Sequence, residues 1–290
     1  MTTIGIIGGT GLYTLEGLTN VREVKLDTPF GEPSDTLTTG ELGDIRLVFI
    51  PRHGRGHRWL PAEVPYRANI FALKNLGAEW VVSVSAVGSM QEQVHPGEML
   101  LPTQYIDRTH ARPSTFFGQG IVAHVSLAEP VCPLLVNTLA QSIQACGLKV
   151  HCKGTYICID GPAFSTRAES ALFRKWGVDV IGMTAMPEVR LAREAELHYA
   201  TLALVTDYDC WREAEDAVSV LSVVEILKQN TANVRKVLVH AIPAVAALAH
   251  GRPNSCRCAT ALENAIMTDP ARIPDERKAE LAPLVGRYLR

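Results

Sequence analysis

The 290-residue sequence has no excess of one charge sign. Basic and acidic residues number 28 and 30, for a formal net charge of −2. That balance argues against nucleic acid or an anionic membrane as the main partner, while leaving room for a local basic pocket that holds a small anion. No internal repeat and no low-complexity tract is present. No apolar segment is read as a membrane span, and residues 1–7 show no basic stretch ahead of an apolar core. The expectation is a cytoplasmic chain with no membrane partner. Cysteines are few and odd in number, seven in all. Most lie inside apolar runs, as Cys146 and Cys158 do, and read as reduced core residues. Cys256-Arg257-Cys258 stands apart as a redox pair or half of a metal site. No second Cys or His pair sits at zinc-finger spacing, so inert thiols are expected and no metal is predicted.

What is present is ordinary globular composition, 47% apolar and 20% charged, in a length near the upper edge of what one core supports. Short apolar, β-branched runs at 4–7, 45–50, 80–87, 98–101, 150–159, 179–183 and 199–205 read as strands. Helical spacing predicts helices over 66–76 and 133–146, ending at Gly77 and Gly147. Thr166 and Glu169 form a capping box for a helix to Trp176. Pro187 and Glu188 start another helix, and Ser222 with Glu225 can cap a long one towards Ala249. The alternation predicts an α/β fold, a single layered domain with a central mixed β-sheet flanked by helices. Residues 1–252 form that domain, and 253–290 a C-terminal extension packing on it.

Ligands in such folds sit beyond the strand ends. Three endings look like anion binders. Gly8-Gly9-Thr10-Gly11 exposes backbone N–H groups and a hydroxyl. Arg52 offers a planar fork matched to phosphate oxygens. Thr184 precedes a helix start. Gly5-x-x-Gly8-x-x-Gly11 also fits a dinucleotide-binding turn, with Asp27 as its acidic residue. That reading needs a helix straight after the glycines, and residues 12–25 carry no sustained apolar stripe. No Lys-Ser/Thr follows the glycines, which excludes a P-loop. His53 and His57 have helical metal-ligand spacing, but Gly54 and Gly56 disfavour a helix. His53 is read as helping Arg52 hold an anion, and His57 as a loop residue. Asp207 and Asp209 end a buried strand two residues apart, so in an extended chain both point the same way. As a turn they are unremarkable. As a pair facing a base, their mutual repulsion keeps one protonated. One then donates to a ring nitrogen while the other accepts from an exocyclic amine, a pattern suited to adenine.

These residues, with Thr28-Pro29-Phe30-Gly31, Arg52-His53-Gly54-Arg55, Ala86-Val87-Gly88-Ser89, Ala128-Glu129-Pro130, Gly161-Pro162-x-Phe164-Ser165, Met183-Thr184-x-x-Pro187-Glu188 and Thr206-Asp207-Tyr208-Asp209-Cys210-Trp211, together resemble the 5'-methylthioadenosine phosphorylase family. The resemblance runs collinearly from residue 4 to residue 250. It implies a purine nucleoside phosphorylase-like fold, a homotrimer, and phosphorolysis of methylthioadenosine to adenine and 5-methylthioribose 1-phosphate. It implies phosphate as co-substrate and no metal or organic cofactor. By position, phosphate meets Thr10, Arg52, His53, Ser85, Ala86 and Thr184, and the ribose lies on Met183. Adenine meets Phe164, Ser165, Asp207 and Asp209, with Asp207 as general acid. The methylthio group meets Val220, Val223 and Val224, with His124 reaching over from a neighbouring subunit. On spacing alone, those three valines share a helical face that reads as core packing. Ser85 stands where many members have Thr. Gly182 stands where many have Asn, a departure shared with methylthioinosine phosphorylases, which leaves dual specificity open.

Overall fold

The computed structural model describes residues 1–9, 12, 15–212, 220–251 and 256–289; within these, the side chains of 220–225, 227–229 and 250–251 are outside the description. In chain order the elements are β1 (Thr2–Gly8), β2 (Thr19–Val24), β3 (Leu37–Leu42), β4 (Ile45–Pro51), α1 (Tyr66–Asn75), β5 (Trp80–Ser89), β6 (Met99–Leu100), β7 (Gln104–Arg108), α2 (Pro133–Ala145), β8 (Val150–His151), β9 (Thr155–Ile159), α3 (Arg167–Lys175), β10 (Val180–Gly182), α4 (Ala185–Glu194), β11 (His198–Asp207), α5 (Val220–Gly251), α6 (Asp275–Glu280) and α7 (Ala282–Val285). The strands join in one mixed sheet. Its main order is β2-β3-β4-β1-β5-β10-β9-β7, with β11 on β5 and β6 linking β11 to β8.

The continuous apolar runs became the central strands, β1, β4, β5 and β11, buried along most of their length. That is the pattern a sheet covered on both faces selects. The capping box forms as expected: Thr166 Oγ1 accepts from the Glu169 N–H, and Glu169 accepts from the Thr166 N–H. Residues 150–159 do not make one strand. The chain turns at 152–154, so β8 pairs with β6 while β9 pairs with β10 and β7. The exposed β2 and the mostly polar β7 carry no apolar run and gave no strand signal.

β5 is where the sheet divides. Along one edge β1 pairs with it from Trp80 to Ser83, and β10 takes up that edge only at Gly88 and Ser89. β11 follows the other edge from Trp80 to Gly88. Among the described residues, 84–87 therefore have no strand neighbour on the β1 side, and a cavity opens there. This is the kind of switch point where α/β sheets hold ligands.

Within α5, Asn230–Ala249 is long and apolar enough to cross a membrane by length and composition, with a mean hydropathy of 1.3; the sequence reading missed this. In the fold, Val234, Val237, Leu238, Ala241, Ile242 and Val245 of this stretch are buried in the same cluster as the central strands. Its hydropathy thus serves a core. The tail packs on that cluster too, through Leu262, Leu281, Leu284 and Val285. Glu196 accepts from the Leu262 N–H at 2.8 Å and the Tyr288 hydroxyl at 2.6 Å. Arg277 donates to the Phe116 carbonyl at 2.6 Å.

Candidate active site

The cavity at the divided edge has a volume of ≈ 370 Å³. Gly8 and Gly9 reach it from the end of β1, Arg52 and His53 from the end of β4, Ser85 and Ala86 from β5, Met183 and Thr184 from beyond β10, and Asp207 from β11. Five strands thus supply residues far apart in sequence.

Arg52 is 3% exposed, and four donated bonds hold its guanidinium. Nε bonds Glu188 Oε2 at 2.8 Å, and Nη2 bonds Glu188 Oε1 at 3.0 Å and Ser83 Oγ at 2.6 Å. Nη1 bonds the Val84 carbonyl at 2.8 Å. Burial, the largest single influence, lowers the pKa of Arg52, but the charge and hydrogen bonds of Glu188, with smaller pushes from Tyr199 and Tyr66, together outweigh it, so the net shift is upward and the group stays cationic. The fork predicted for phosphate is thus spent on Glu188, leaving a fixed positive charge and one Nη1 hydrogen for an anion.

His53 is also different from expectation. Its Nδ1 faces the Trp59 carbonyl at 2.9 Å, which places the proton on Nδ1 and a lone pair on Nε2. Burial, helped by the charges of Arg52 and His57, pushes its pKa down to about 4. A neutral imidazole accepts from a protonated phosphate oxygen rather than adding positive charge. Its ring stacks on His57 with centroids 4.3 Å apart.

Ser85 Oγ and Thr184 Oγ1 lie 3.1 Å apart, bringing two hydroxyls to one point. Thr184 leads into α4, but Met186 breaks the helical path with extended backbone (φ −111°, ψ 133°), and its N–H donates to Cys158 Sγ at 3.3 Å. Thr184 therefore offers a hydroxyl, and the expected helix terminus is turned aside.

At the other end, a recess of ≈ 30 Å³ is lined by Phe164, Ser165, Met183, Asp207 and Asp209. It shares Gly88, Ile181, Gly182, Met183 and Asp207 with the cavity. The two aspartates meet here, though not by strand alternation. A bulge between Val205 and Asp207 shifts the register, β11 ends at Asp207, and Asp209 has φ +54°. The Asp209 N–H donates to Asp207 Oδ1 at 2.8 Å, and the Thr206 hydroxyl to Asp207 Oδ2 at 2.7 Å. A Cβ on Gly88 would stand 2.8 Å from Asp207 Oδ1, so the carboxylate's position depends on that glycine. The pKa of Asp209 is raised, chiefly by burial; the Asp207 charge adds a smaller push, and Ser170, Cys210 and Ser165 pull the other way. Mutual repulsion is thus a secondary cause. The Ser165 hydroxyl is buried near the Asp209 carboxyl, whose pKa it lowers, but makes no hydrogen bond of regular geometry among the described residues.

Thr10 and the side chains of Val220, Val223 and Val224 lie outside the described residues. His124 lines a separate groove of ≈ 540 Å³ beside Cys256 and Cys258 and does not line the cavity that holds Arg52.

Residues 3–243 match the Phosphorylase superfamily. The chain is 53% identical over 287 residues to S-methyl-5'-thioadenosine phosphorylase of Geobacter sulfurreducens, covering 99% of each chain. It belongs to the phosphorylase superfamily. A methylthioadenosine phosphorylase crystal structure from an antarctic soil metagenomic library superposes with a TM-score of 0.91 at 50% identity, over 98% of both chains. The methylthioadenosine phosphorylase of Schistosoma mansoni in complex with adenine gives 0.83 at 37% identity, over 91% of this chain and 99% of that one.

Several residues in this superfamily member went unread in the sequence. Glu188 marked only a helix start there, yet it anchors Arg52. Arg112 donates to the carbonyls of Met183 and Met186 at 2.8 and 2.7 Å and of Asp160 at 2.8 Å, clamping two site segments together. Thr231 and Val234 of α5 and Pro61 line the cavity. Gly182 acquires a reason: a Cβ there would lie 2.0 Å from the Tyr156 hydroxyl. Tyr156 occupies the space that a side chain at 182 would need. No local pattern announces such long-range partners.

Proposed function

We propose that this chain splits 5'-methylthioadenosine with inorganic phosphate, giving adenine and 5-methylthioribose 1-phosphate. The observation that carries this reading is the polarity of one cavity: a buried cation with paired hydroxyls at one end, and an aspartate pair beside an exposed aromatic ring at the other. Phosphate is placed by Arg52, Ser85, Thr184, the backbone at Ala86, and Thr10, with His53 accepting from its protonated oxygen. Met183 lies under the ribose. Adenine stacks on Phe164, which is 46% exposed, and takes a hydrogen bond from Ser165. The C1'–N9 bond lengthens, its electron pair passes to the base, and a phosphate oxygen bonds C1' from the opposite face. Asp207 acts as general acid at N7, while Asp209 holds the amine. An apolar wall including Val220, Val223 and Val224 receives the methylthio group. No cofactor enters this chemistry, which closes with phosphate alone.

The chain acts as a homotrimer in the cytoplasm. His124, outside the cavity of its own subunit, reaches that of a neighbour. Seven free cysteines favour a reducing compartment. Phosphate-dependent release of adenine from methylthioadenosine, with adenosine and methylthioinosine alongside, tests the reaction. Release of hypoxanthine alone would keep the phosphate end and overturn the roles of Asp207 and Asp209. Size-exclusion chromatography with light scattering tests the trimer, and a His124→Ala loss of activity without loss of assembly tests the shared site.

A further inference from the structure

The Cys256-x-Cys258 pair does not stand alone. Cys132, at the start of α2, and His198, at the start of β11, converge on it, and the four ligand atoms all lie within 4.8 Å of one another. Cys132 Sγ is 3.3 Å from His198 Nδ1 and 3.6 Å from Cys256 Sγ, and Cys256 Sγ is 3.5 Å from His198 Nδ1. A tetrahedral zinc with metal–sulfur bonds of about 2.3 Å and a metal–nitrogen bond of about 2.0–2.1 Å sets ligand edges of roughly 3.5–3.8 Å. These three edges are close to that figure; Cys256 and Cys258, at 2.8 Å, would need to part by about 1 Å on loading. We propose that Cys132, His198, Cys256 and Cys258 form a Cys3His site for a zinc ion.

The donor set argues for this metal. Three sulfurs and one imidazole select a soft or borderline tetrahedral ion over magnesium or calcium, which take oxygen. Four protein ligands close the shell, so the site is structural rather than hydrolytic. The surroundings orient the ligands. The His198 ring stacks on Trp80 at 4.0 Å, and the Cys132 N–H donates to the Tyr199 carbonyl at 2.8 Å. The Cys258 N–H donates to Cys256 Sγ at 3.3 Å, as backbone amides do to thiolates. All seven cysteines are free, and a disulfide between any two of these three would leave the third and His198 without a role.

The ion would tie three separated segments together: the start of α2, the start of β11 and the beginning of the tail. None of the four residues lines the cavity that holds Arg52 and Asp207. The metal therefore supports folding of the tail and not the phosphorolysis step.

The test is elemental analysis of the full-length chain, purified under reducing conditions and desalted. About one zinc per chain is expected. Cobalt loading should give the visible ligand-field bands of a tetrahedral site and a thiolate charge-transfer band. The zinc-loaded protein should protect Cys132, Cys256 and Cys258 from alkylation, while exposed Cys152 reacts. Cys256→Ser and Cys132→Ser should each lower retained zinc tenfold or more and lower the melting temperature, with kcat of the folded fraction unchanged. Should either variant fail to fold, the cobalt spectrum and the alkylation pattern of the unaltered chain carry the test. A metal-free protein that binds neither zinc nor cobalt overturns the proposal. So does an intact mass two hydrogens lighter without metal, which marks a disulfide instead.

Discussion

At the Arg52 end of the cavity, Arg52 is tied by four bonds to Glu188, Ser83 and Val84, and Glu188 also accepts from the Tyr199 hydroxyl at 2.8 Å. At the other end, Ser165 Oγ makes no hydrogen bond of regular geometry among the described residues, Phe164 is exposed, and the aspartates sit at and just past the end of their strand. The first region is finished before any ligand arrives, so its charge cannot swing away from an anion. The second is left incomplete, and in the proposed reaction a base completes it. Mutations should therefore separate folding from chemistry along the length of one cavity.

The largest effect is expected at Glu188. Glu188→Gln leaves the Arg52 charge buried and poorly paired, and should cost about 3–5 kcal/mol of stability, read from the urea midpoint. Asp207→Asn should leave that midpoint nearly in place while lowering kcat roughly 100-fold. An equal loss of stability in both variants would collapse the contrast between the two ends.

Gly182→Ala sets a Cβ against the Tyr156 hydroxyl and should destabilise by about 1–3 kcal/mol, because a packed strand resists added volume. Adding Tyr156→Phe to it should recover part of that loss. No recovery would mean that the clash lies elsewhere. Ser165→Ala should lower kcat/KM by up to roughly tenfold, the scale of one neutral hydrogen bond of about 0.5–1.5 kcal/mol. Its melting temperature should change little, since the hydroxyl makes no hydrogen bond of regular geometry.

The smallest effect is pH dependence, and the two ends should pull in opposite directions. His53 is lowered to about 4 from 6.5, so its contribution is whole above pH 6.5 and fades as the pH falls towards 4. Asp209 is raised by burial, so its contribution is whole below its ordinary 3.8 and fades as the pH rises through its folded value. Melting temperatures over roughly pH 4 to 8 check both signs. Relative to the parent chain, Asp209→Asn should gain as pH rises, and His53→Gln should gain as pH falls.

Much of this was legible in the chain before any coordinates. Burial on both faces writes long β-branched runs, so β1, β4, β5 and β11 declared themselves, and with them the strand ends where Arg52 and Asp207 stand; Ser85 lies inside β5. The Thr166–Glu169 cap was readable because its two bonds span three residues. Exposed strands such as β2 leave no such mark, since solvent imposes no apolar period.

What the sequence by itself determined was the order of strand endings and the residue types placed on them, because burial and capping act over a few residues. Only the tertiary structure decided how those residues are used. Arg52 meets Glu188 across 136 positions. The bulge before Asp207, and not alternation, aims the aspartates, and Tyr156 explains Gly182. Cys132 and His198 reach Cys256 and Cys258 from segments more than a hundred and more than fifty residues away. The physical reason is common to all four. A charge pair, a register shift, a steric boundary or a ligand cluster is satisfied by proximity in space, and no local period records it.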